Sequence, residues 1–248
     1  MGLTIHYAVH APRCDLTQAK AFTRTLRRHA QSMQRRGEID ELLPCTDGPA
    51  ELARWATCWK ILELEIDPPA STGIAVAPLE GCIFPVLLGE GCEPLWLGLC
   101  RYPATITHDG RKVATKLGSG WQLRGSCKTQ YASLHGWDYF RRSHVAAIAL
   151  LRFCDRLGAR VRIVDEGEWW PRQSDAALRR KVDKLNGIVA ALAGAIKDAS
   201  DDDAPGTPVA SPIFAHPHFE RLEAEGAARA GSAMSDAARL ISNRHPPG

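Results

Sequence analysis

A chain of 248 residues with 45% hydrophobic and 24% charged side chains has an ordinary globular composition, which excludes a wholly disordered chain, a collagen and a coiled coil. Its formal charge of +3, from 31 basic and 28 acidic residues, is too small to identify a nucleic-acid binder. The chain contains no run of 18 apolar residues, so we predict no membrane span. Eight cysteines without a CxxC pair, and an N-terminus without a secretory signal pattern, indicate reduced thiols in a cytoplasmic protein.

The first elements carry clear local signals. Apolar and polar side chains alternate over residues 3–9, which predicts a strand with one core face. Asp15 and Gln18 match a capping box, and the apolar residues that follow predict a helix over 16–35. Downstream patterns predict a short helix at 51–58 and strands at 60–66, 74–78, 82–88, 95–100, 104–107 and 112–117, the last two joined by an Asp-Gly hairpin turn.

The second half begins with residues 118–135, which are rich in glycine, serine and polar side chains, so we expect a long loop there. A helix over 137–157 and a strand over 160–164 follow. Ser174 is the expected N-cap of the last core helix. The apolar stripe of that helix recurs every three or four residues: Leu178, Val182, Leu185, Val189, Leu192 and Ile196.

The C-terminal region changes in composition. Residues 199–212 are rich in Asp, Pro and Ala, and we expect a linker without regular structure. The tail, 213–248, is expected to be largely mobile apart from one short helix near 219–230. Short turns join most consecutive strands, which favours antiparallel pairing. The order of elements therefore predicts one α+β domain over 1–198, with helices packed on one face of a mostly antiparallel sheet.

Five unusual phrases occur along the chain. They are LTIHY at 3–7, GEGCEP at 89–94, GLCRYPATI at 98–106, SCKTQYAS at 126–133 and DEGEWW at 165–170. In these phrases and their order, residues 2–198 resemble an uncharacterised family of bacterial proteins. The resemblance implies membership of that family, but it implies no activity, cofactor or catalytic residue.

Four residues form a first candidate site. His6 lies on the polar face of the first strand, Glu90 lies in the GEGCEP loop, and Asp165 and Glu166 directly follow the strand at 160–164. One histidine with carboxylates suits general acid–base catalysis, and it also suits a divalent metal ion. No short metal motif is present, so these side chains would have to converge from distant segments. The alternative is a half-exposed histidine and a solvated acidic turn.

The polar segment 126–142 contains a second candidate site. A Gly- and Ser-rich segment before a helix N-terminus can hold an anion through backbone N–H groups, and guanidinium groups add contacts to phosphate or carboxylate. We therefore predict a site for a small anionic ligand, with an ordered surface loop as the alternative. The residues expected to bind the ligand are Lys128, Gln130, Tyr131, Arg141 and Arg142.

Two other patterns have ordinary structural explanations. His144 falls on the apolar face of the helix at 137–157, where a buried, hydrogen-bonded core histidine is more common than a ligand. The first helix carries an arginine-rich face that includes Arg24, Arg27 and Arg28. That face could meet nucleic acid, but a solvated helix face explains it equally well. No aromatic residues interleave with these arginines, which argues against nucleic-acid stacking.

Two hypotheses for the function follow. In the first, the protein is a hydrolase-like enzyme acting on a small anionic or phosphorylated substrate. In the second, it is a non-catalytic regulatory module that binds a protein or a small ligand. The enzyme hypothesis requires that His6, Lys128, Tyr131, Arg141 and Asp165 line one pocket.

Overall fold

The computed structural model describes residues 3–64, 70–201 and 211–224, excepting the side chains of 60–72 and 195–201. The strands are β1 (Thr4–Ala11), β2 (Glu41–Leu42), β3 (Cys58–Leu64), β4 (Ala70–Val76), β5 (Glu80–Leu87), β6 (Leu95–Arg101), β7 (Thr105–His108), β8 (Arg111–Ala114), β9 (Trp121–Lys128) and β10 (Arg160–Asp165). The helices are α1 (Leu16–Arg35), α2 (Pro49–Trp55), α3 (Trp137–Arg156) and α4 (Asp175–Asp201). Two 3-10 helices lie at Gln130–His135 and Pro212–Ala215.

Six strands form one antiparallel sheet in the order β10-β1-β9-β6-β5-β2. The hairpins β3–β4 and β7–β8 form two separate two-stranded sheets. The expected α+β fold with a mostly antiparallel sheet is therefore confirmed. Asp109 and Gly110 both have positive φ, as the predicted turn between β7 and β8 requires.

The main core lies between this sheet and the helices α1 and α3. Every second residue of β1 points into it, and Ile5, Tyr7 and Val9 are almost completely buried. The predicted capping box of α1 is confirmed by two hydrogen bonds. Gln18 N donates to Asp15 Oδ1 at 2.8 Å, and Asp15 N donates to Gln18 Oε1 at 3.0 Å. The buried stripe of α1 comprises Ala19, Thr23, Leu26, Ala30 and Met33.

The opposite face of the sheet carries a second, smaller core. Ile83 of β5 and Cys100 of β6 belong to it, whereas their neighbours Phe84 and Leu99 belong to the main core. Successive strand residues point to opposite faces, so the two cores lie on the two sides of the sheet. Leu52 of α2 joins the second core, which places this short helix opposite α1 and α3.

The prediction of a long loop over 118–135 was wrong, because Trp121–Lys128 is the strand β9 between β1 and β6. The glycine that suggested a loop has a packing reason. A Cβ atom on Gly125 would lie 2.5 Å from Tyr7 Oη, so the strand needs glycine where the tyrosine crosses it. Tyr7 Oη continues past Gly125 and donates to Trp96 O on β6 at 2.7 Å.

The C-terminal predictions need correction where the structure describes them. Helix α4 continues through Asp201, so a linker without regular structure does not begin at 199. Residues 202–210 lie outside the described part of the chain. The 3-10 helix Pro212–Ala215 and helical residues 219–224 pack on α4. The contact buries Ile213 and Leu222 against Ala190 and Ala193. The prediction of mobility for 225–248 also lies outside the described residues.

All eight cysteines are free, as predicted. Burial raises the pKa of Cys92, Cys100 and Cys154 to about 12, so these thiols stay protonated and pack as small apolar groups. Among the helices of the described residues, none combines the length and the apolar character needed to cross a membrane.

Among the described side chains of the α4 stripe, those near the start of the helix face the core and Leu192 faces solvent. Leu178 is fully buried, whereas Leu192 is 54% exposed. We expect Leu178→Ala to lower the free energy of unfolding by about 2–5 kcal/mol, because it removes apolar contacts and leaves a cavity. Leu192→Ala is the matched control and should change stability by less than about 0.5 kcal/mol. Urea denaturation measures both values, and equal losses would show that the whole stripe is buried.

Candidate functional site

The predicted catalytic residue Asp165 is part of the core. Its side chain and that of His144 are both completely buried, and His144 Nε2 lies 3.1 Å from Asp165 Oδ1. This Nε2 atom lies within hydrogen-bond distance of the carboxylate but is not well aligned with it. On the other side of the ring, Thr129 Oγ1 is hydrogen-bonded to Nδ1 at 2.9 Å. His144 is thus the buried, hydrogen-bonded histidine that its place on the helix predicted.

The surroundings of Asp165 explain its ionisation. Burial raises the pKa of this carboxyl, but the nearby His144 and two backbone N–H groups outweigh that effect and lower the pKa below its ordinary value. The backbone donors are Gly167 N at 2.7 Å and Trp170 N at 2.9 Å. The carboxylate therefore anchors the turn after β10 and is not exposed to a substrate.

The other predicted catalytic residues separate into two places. His6 Nε2 lies 3.5 Å from Glu166 Oε1, and both side chains are about half exposed. Glu90 instead lies 3.7 Å from His135 Nε2, while its backbone N–H donates to Tyr139 Oη. The structure thus brings together His6 and Glu166, but it pairs Glu90 and Asp165 with other partners.

Two predicted ligand residues have structural partners within the fold. Gln130 is fully buried, where its Oε1 accepts from Leu3 N and its Nε2 donates to Asn186 Oδ1. Arg141 Nε donates to Asp175 Oδ2 at 2.6 Å, which ties α3 to the first turn of α4. The Arg141 guanidinium lowers the pKa of Asp175, as expected for a close ion pair.

Arg142 holds α3 against the segment after α1. Its NH2 group donates to Asp40 Oδ1 at 2.7 Å, and its NH1 group donates to Gly37 O at 3.1 Å. The same guanidinium lies over the ring of Tyr139, 4.4 Å from its centroid. These contacts use most of the donors that a bound anion would need.

The remaining two predicted ligand residues, Lys128 and Tyr131, do not form a pocket together with Gln130, Arg141 and Arg142. Lys128 ends β9, and its backbone N–H donates to Glu93 Oε2 at 3.0 Å. Tyr131 lies half-buried in the 3-10 helix that follows, with its backbone against Gly91. The residues of the two predicted sites therefore do not converge on one pocket.

Sequence reasoning missed a surface that depends on the unexpected strand β9. The registers of β1 with β10 and β9 place nine residues on the sheet side opposite α1 and α3, which we call the open face. Its three rows, each from β10 to β1 to β9, are Arg160–His10–Gln122, Arg162–Ala8–Arg124 and Val164–His6–Ser126. Gln122 is buried at the edge of this face, where its Nε2 donates to Leu117 O at 2.6 Å.

The middle row of the open face places two arginines around a small residue. Arg162 and Arg124 both lie opposite Ala8, so their Cα atoms are about 10 Å apart, twice the strand spacing. Both side chains are exposed, and so is Arg160 in the next row. Among the residues that the structure describes, none of these three arginines has a carboxylate within ion-pair distance. In the sequence, the basic character of this surface could have been found from Arg160 and Arg162, which lie two residues apart and therefore on the same face of their strand.

A cleft of about 680 Å³ lies at the β9 side of the open face. The open-face residues His6, Arg124 and Ser126 line it, together with Lys116 after β8 and Trp59 of β3. A smaller depression of about 180 Å³ lies on the β10 side and is lined by His6, Ala8, Arg162 and others. The two share His6, so the concave surface continues across the three strands.

The divalent metal that the first candidate site would suit finds no support in this geometry. Within the described ranges, no group of three or more His, Cys, Asp or Glu side chains is placed to hold a metal ion. His6 and Glu166 supply two donors, whereas Asp165 is already occupied in the core.

Asp165 gives a prediction that depends on pH. Because its pKa is lowered in the folded protein, the carboxylate stabilises the fold above the ordinary Asp pKa of about 3.9, and this contribution is lost as the pH falls through the lowered pKa. We expect Asp165→Asn to lower the free energy of unfolding by about 1.5–3 kcal/mol at pH 7. Urea denaturation at stepwise lower pH should show the difference from wild type shrinking below about pH 4.

The control for this experiment is Glu166→Gln, which neutralises the adjacent but exposed carboxylate. It should change stability by less than about 1 kcal/mol, as surface ion pairs do. If the effect of Asp165→Asn were the same at every pH, the carboxylate charge would not be what stabilises this turn.

Comparison with known proteins identified no similar protein. No family model, no curated protein and no solved structure matches the chain. The resemblance to a bacterial family therefore stays a prediction. The function has to be argued from the residues that the structure brings together.

Proposed function

We propose that the protein is a binding module for an anionic ligand and that the open face with its cleft is the binding surface. The observation that supports this most directly is the row Arg162–Ala8–Arg124, with two exposed arginines around a small residue. A guanidinium group forms paired hydrogen bonds with phosphate or carboxylate. An anion above Ala8 would lie within reach of both arginines.

The energetics of the open face support a ligand role more than a structural one. Within the fold, Arg124 makes one hydrogen bond to Gln122 at 3.3 Å, and neither arginine of this row has a carboxylate within ion-pair distance among the described residues. The fold therefore gains little from the two charges. Arg141 and Arg142, which the sequence suggested as ligand residues, are instead satisfied by Asp175 and Asp40. Of the described acidic groups near the open face, Glu166 contacts His6 of the outer row, and Glu93 lies next to Lys128.

Two alternatives, an enzyme and a module that binds an acidic protein, have fewer observations in their favour. A hydrolase-like enzyme would have to use His6 and Glu166, since of the four predicted catalytic residues only His6 lines the cleft among the residues described. A protein with an acidic surface could take the place of a small anion. We further propose that the module works in the cytoplasm, which the eight free thiols support.

Charge reversal tests the binding surface. We expect Arg124→Glu and Arg162→Glu each to weaken binding of long-chain inorganic polyphosphate about 10- to 150-fold, the value of a lost charge-assisted contact of about 1.5–3 kcal/mol. Each should also reduce the slope of log affinity against log salt, because fewer counterions are released. Isothermal titration calorimetry over a series of salt concentrations measures both effects.

The matched control is Arg24→Glu, which makes the same charge change on the exposed face of α1. Screening should limit its effect to less than about threefold. If Arg24→Glu weakened binding as much as the other two, the ligand would contact the arginine-rich face of α1 or respond to net charge alone. Thermal melts of all three variants establish that each is folded.

A further inference from the structure

An exposed tryptophan stands at the edge of the cleft. Trp59 is 77% exposed, and it lines the same concavity as Arg124, Lys116 and Ser126. Exposed single apolar residues are common on protein surfaces, but an indole beside arginines that pair with no carboxylate of the described residues combines two chemistries. Arg124 itself makes one hydrogen bond, from its Nε to Gln122 Oε1 at 3.3 Å. Such a site suits a ligand that is both anionic and planar.

The strand β4 supports the indole ring from one side. Gly73 is the diagonal cross-strand neighbour of Trp59, and a Cβ atom at this glycine would lie 3.7 Å from Trp59 Cε3. The ring therefore rests against the backbone of β4 at a position without a side chain. One side of the ring is supported in this way, and the large exposed fraction leaves the remainder open to a ligand.

The lysine and arginine side chains of the cleft and the open face cover a longer stretch of surface than one small anion would contact. From the cleft with Lys116 and Arg124, the concave surface crosses Ala8 to Arg162 on β10. Arg160 lies one row farther, and it lines a separate cleft of about 650 Å³ together with Arg13. Cationic side chains thus lie on both sides of β1, on β9 and on β10, at separations that suit a polymer with repeated negative charges.

Resting on the proposed function, we infer that the ligand is a single-stranded nucleic acid. Its phosphates contact the arginines of the open face, and one of its bases stacks on Trp59. A basic groove with an aromatic platform is the combination that binds single strands without reading their sequence. A base can stack on Trp59 only when it is free of its pairing partner, so the single strand is favoured over the duplex. An acidic peptide would satisfy the arginines but would leave the indole unused.

The experiment separates the base from the backbone. Fluorescence anisotropy with the full chain compares a 5′-labelled 12-mer oligo(dT), an oligo(U) of the same length and an abasic 12-mer with the same phosphates. We expect Trp59→Ala to weaken binding of oligo(dT) or oligo(U) about 5- to 150-fold and to leave binding of the abasic strand unchanged. Trp59→Phe should restore most of the loss, because a phenyl ring still stacks.

The controls keep the two proposals distinguishable. Trp55→Ala removes another exposed tryptophan, which stacks on Trp96 and does not line the cleft, so it should leave affinity unchanged. Arg124→Glu should weaken the binding of all three oligonucleotides.

The outcomes separate the nucleic-acid inference from the proposed function. If abasic and base-carrying strands bind equally, or if Trp59→Ala has no effect, the nucleic-acid inference is overturned while the proposed function stands. If a polyglutamate of equal charge binds as tightly, the partner is an acidic protein and the inference is again overturned. If neither polyphosphate nor any strand binds, both proposals fail.

Discussion

The antiparallel pairing of β1 with β9 and β10 determines both the core and the surface of this protein. Because side chains alternate along a strand, Ile5 faces α3 while His6 and Ala8 face the open side. The same register sets Asp165 opposite Ile5, where it reaches His144. A slip by one residue would bury the arginines and expose the apolar residues, so the burial of this core fixes the register.

Buried polar contacts join the elements around this sheet. His144 of α3 links Thr129, after β9, to Asp165 at the end of β10. A second set of hydrogen bonds connects Leu3, Gln130 and Asn186, which joins the start of β1 to α4. Buried polar groups cost free energy unless they are paired, and these contacts pair all of them except His144 Nε2, which faces Asp165 without an aligned hydrogen bond. The polar residues that cluster in the sequence near 126–144 therefore serve the architecture of the fold.

The sequence predicted the elements that depend on patterns of neighbouring residues. It did not predict the features that depend on contacts between segments far apart in the chain. The strand at β1, the capping box of α1 and the helix α3 follow from alternation, capping and periodicity over a few residues. β9 was missed because Gly125 weakens the strand pattern, and only the packing of Tyr7 explains that glycine. The open face was missed for the same reason. It needs β9 beside β1 before Arg124 and Arg162 come to flank Ala8.

The hydrogen bond from Tyr7 to Trp96 bridges two strands that are not neighbours. It starts on β1, crosses Gly125 of β9 and ends on the backbone of β6, so three adjacent strands are braced by one phenol. Such a brace opposes shear of β9 between its neighbours, and Arg124 is the residue next to the crossing point. The open face is thus a stiff platform, and a flexible ligand of the kind we propose would have to supply the conformational adjustment and bear its entropy cost on binding.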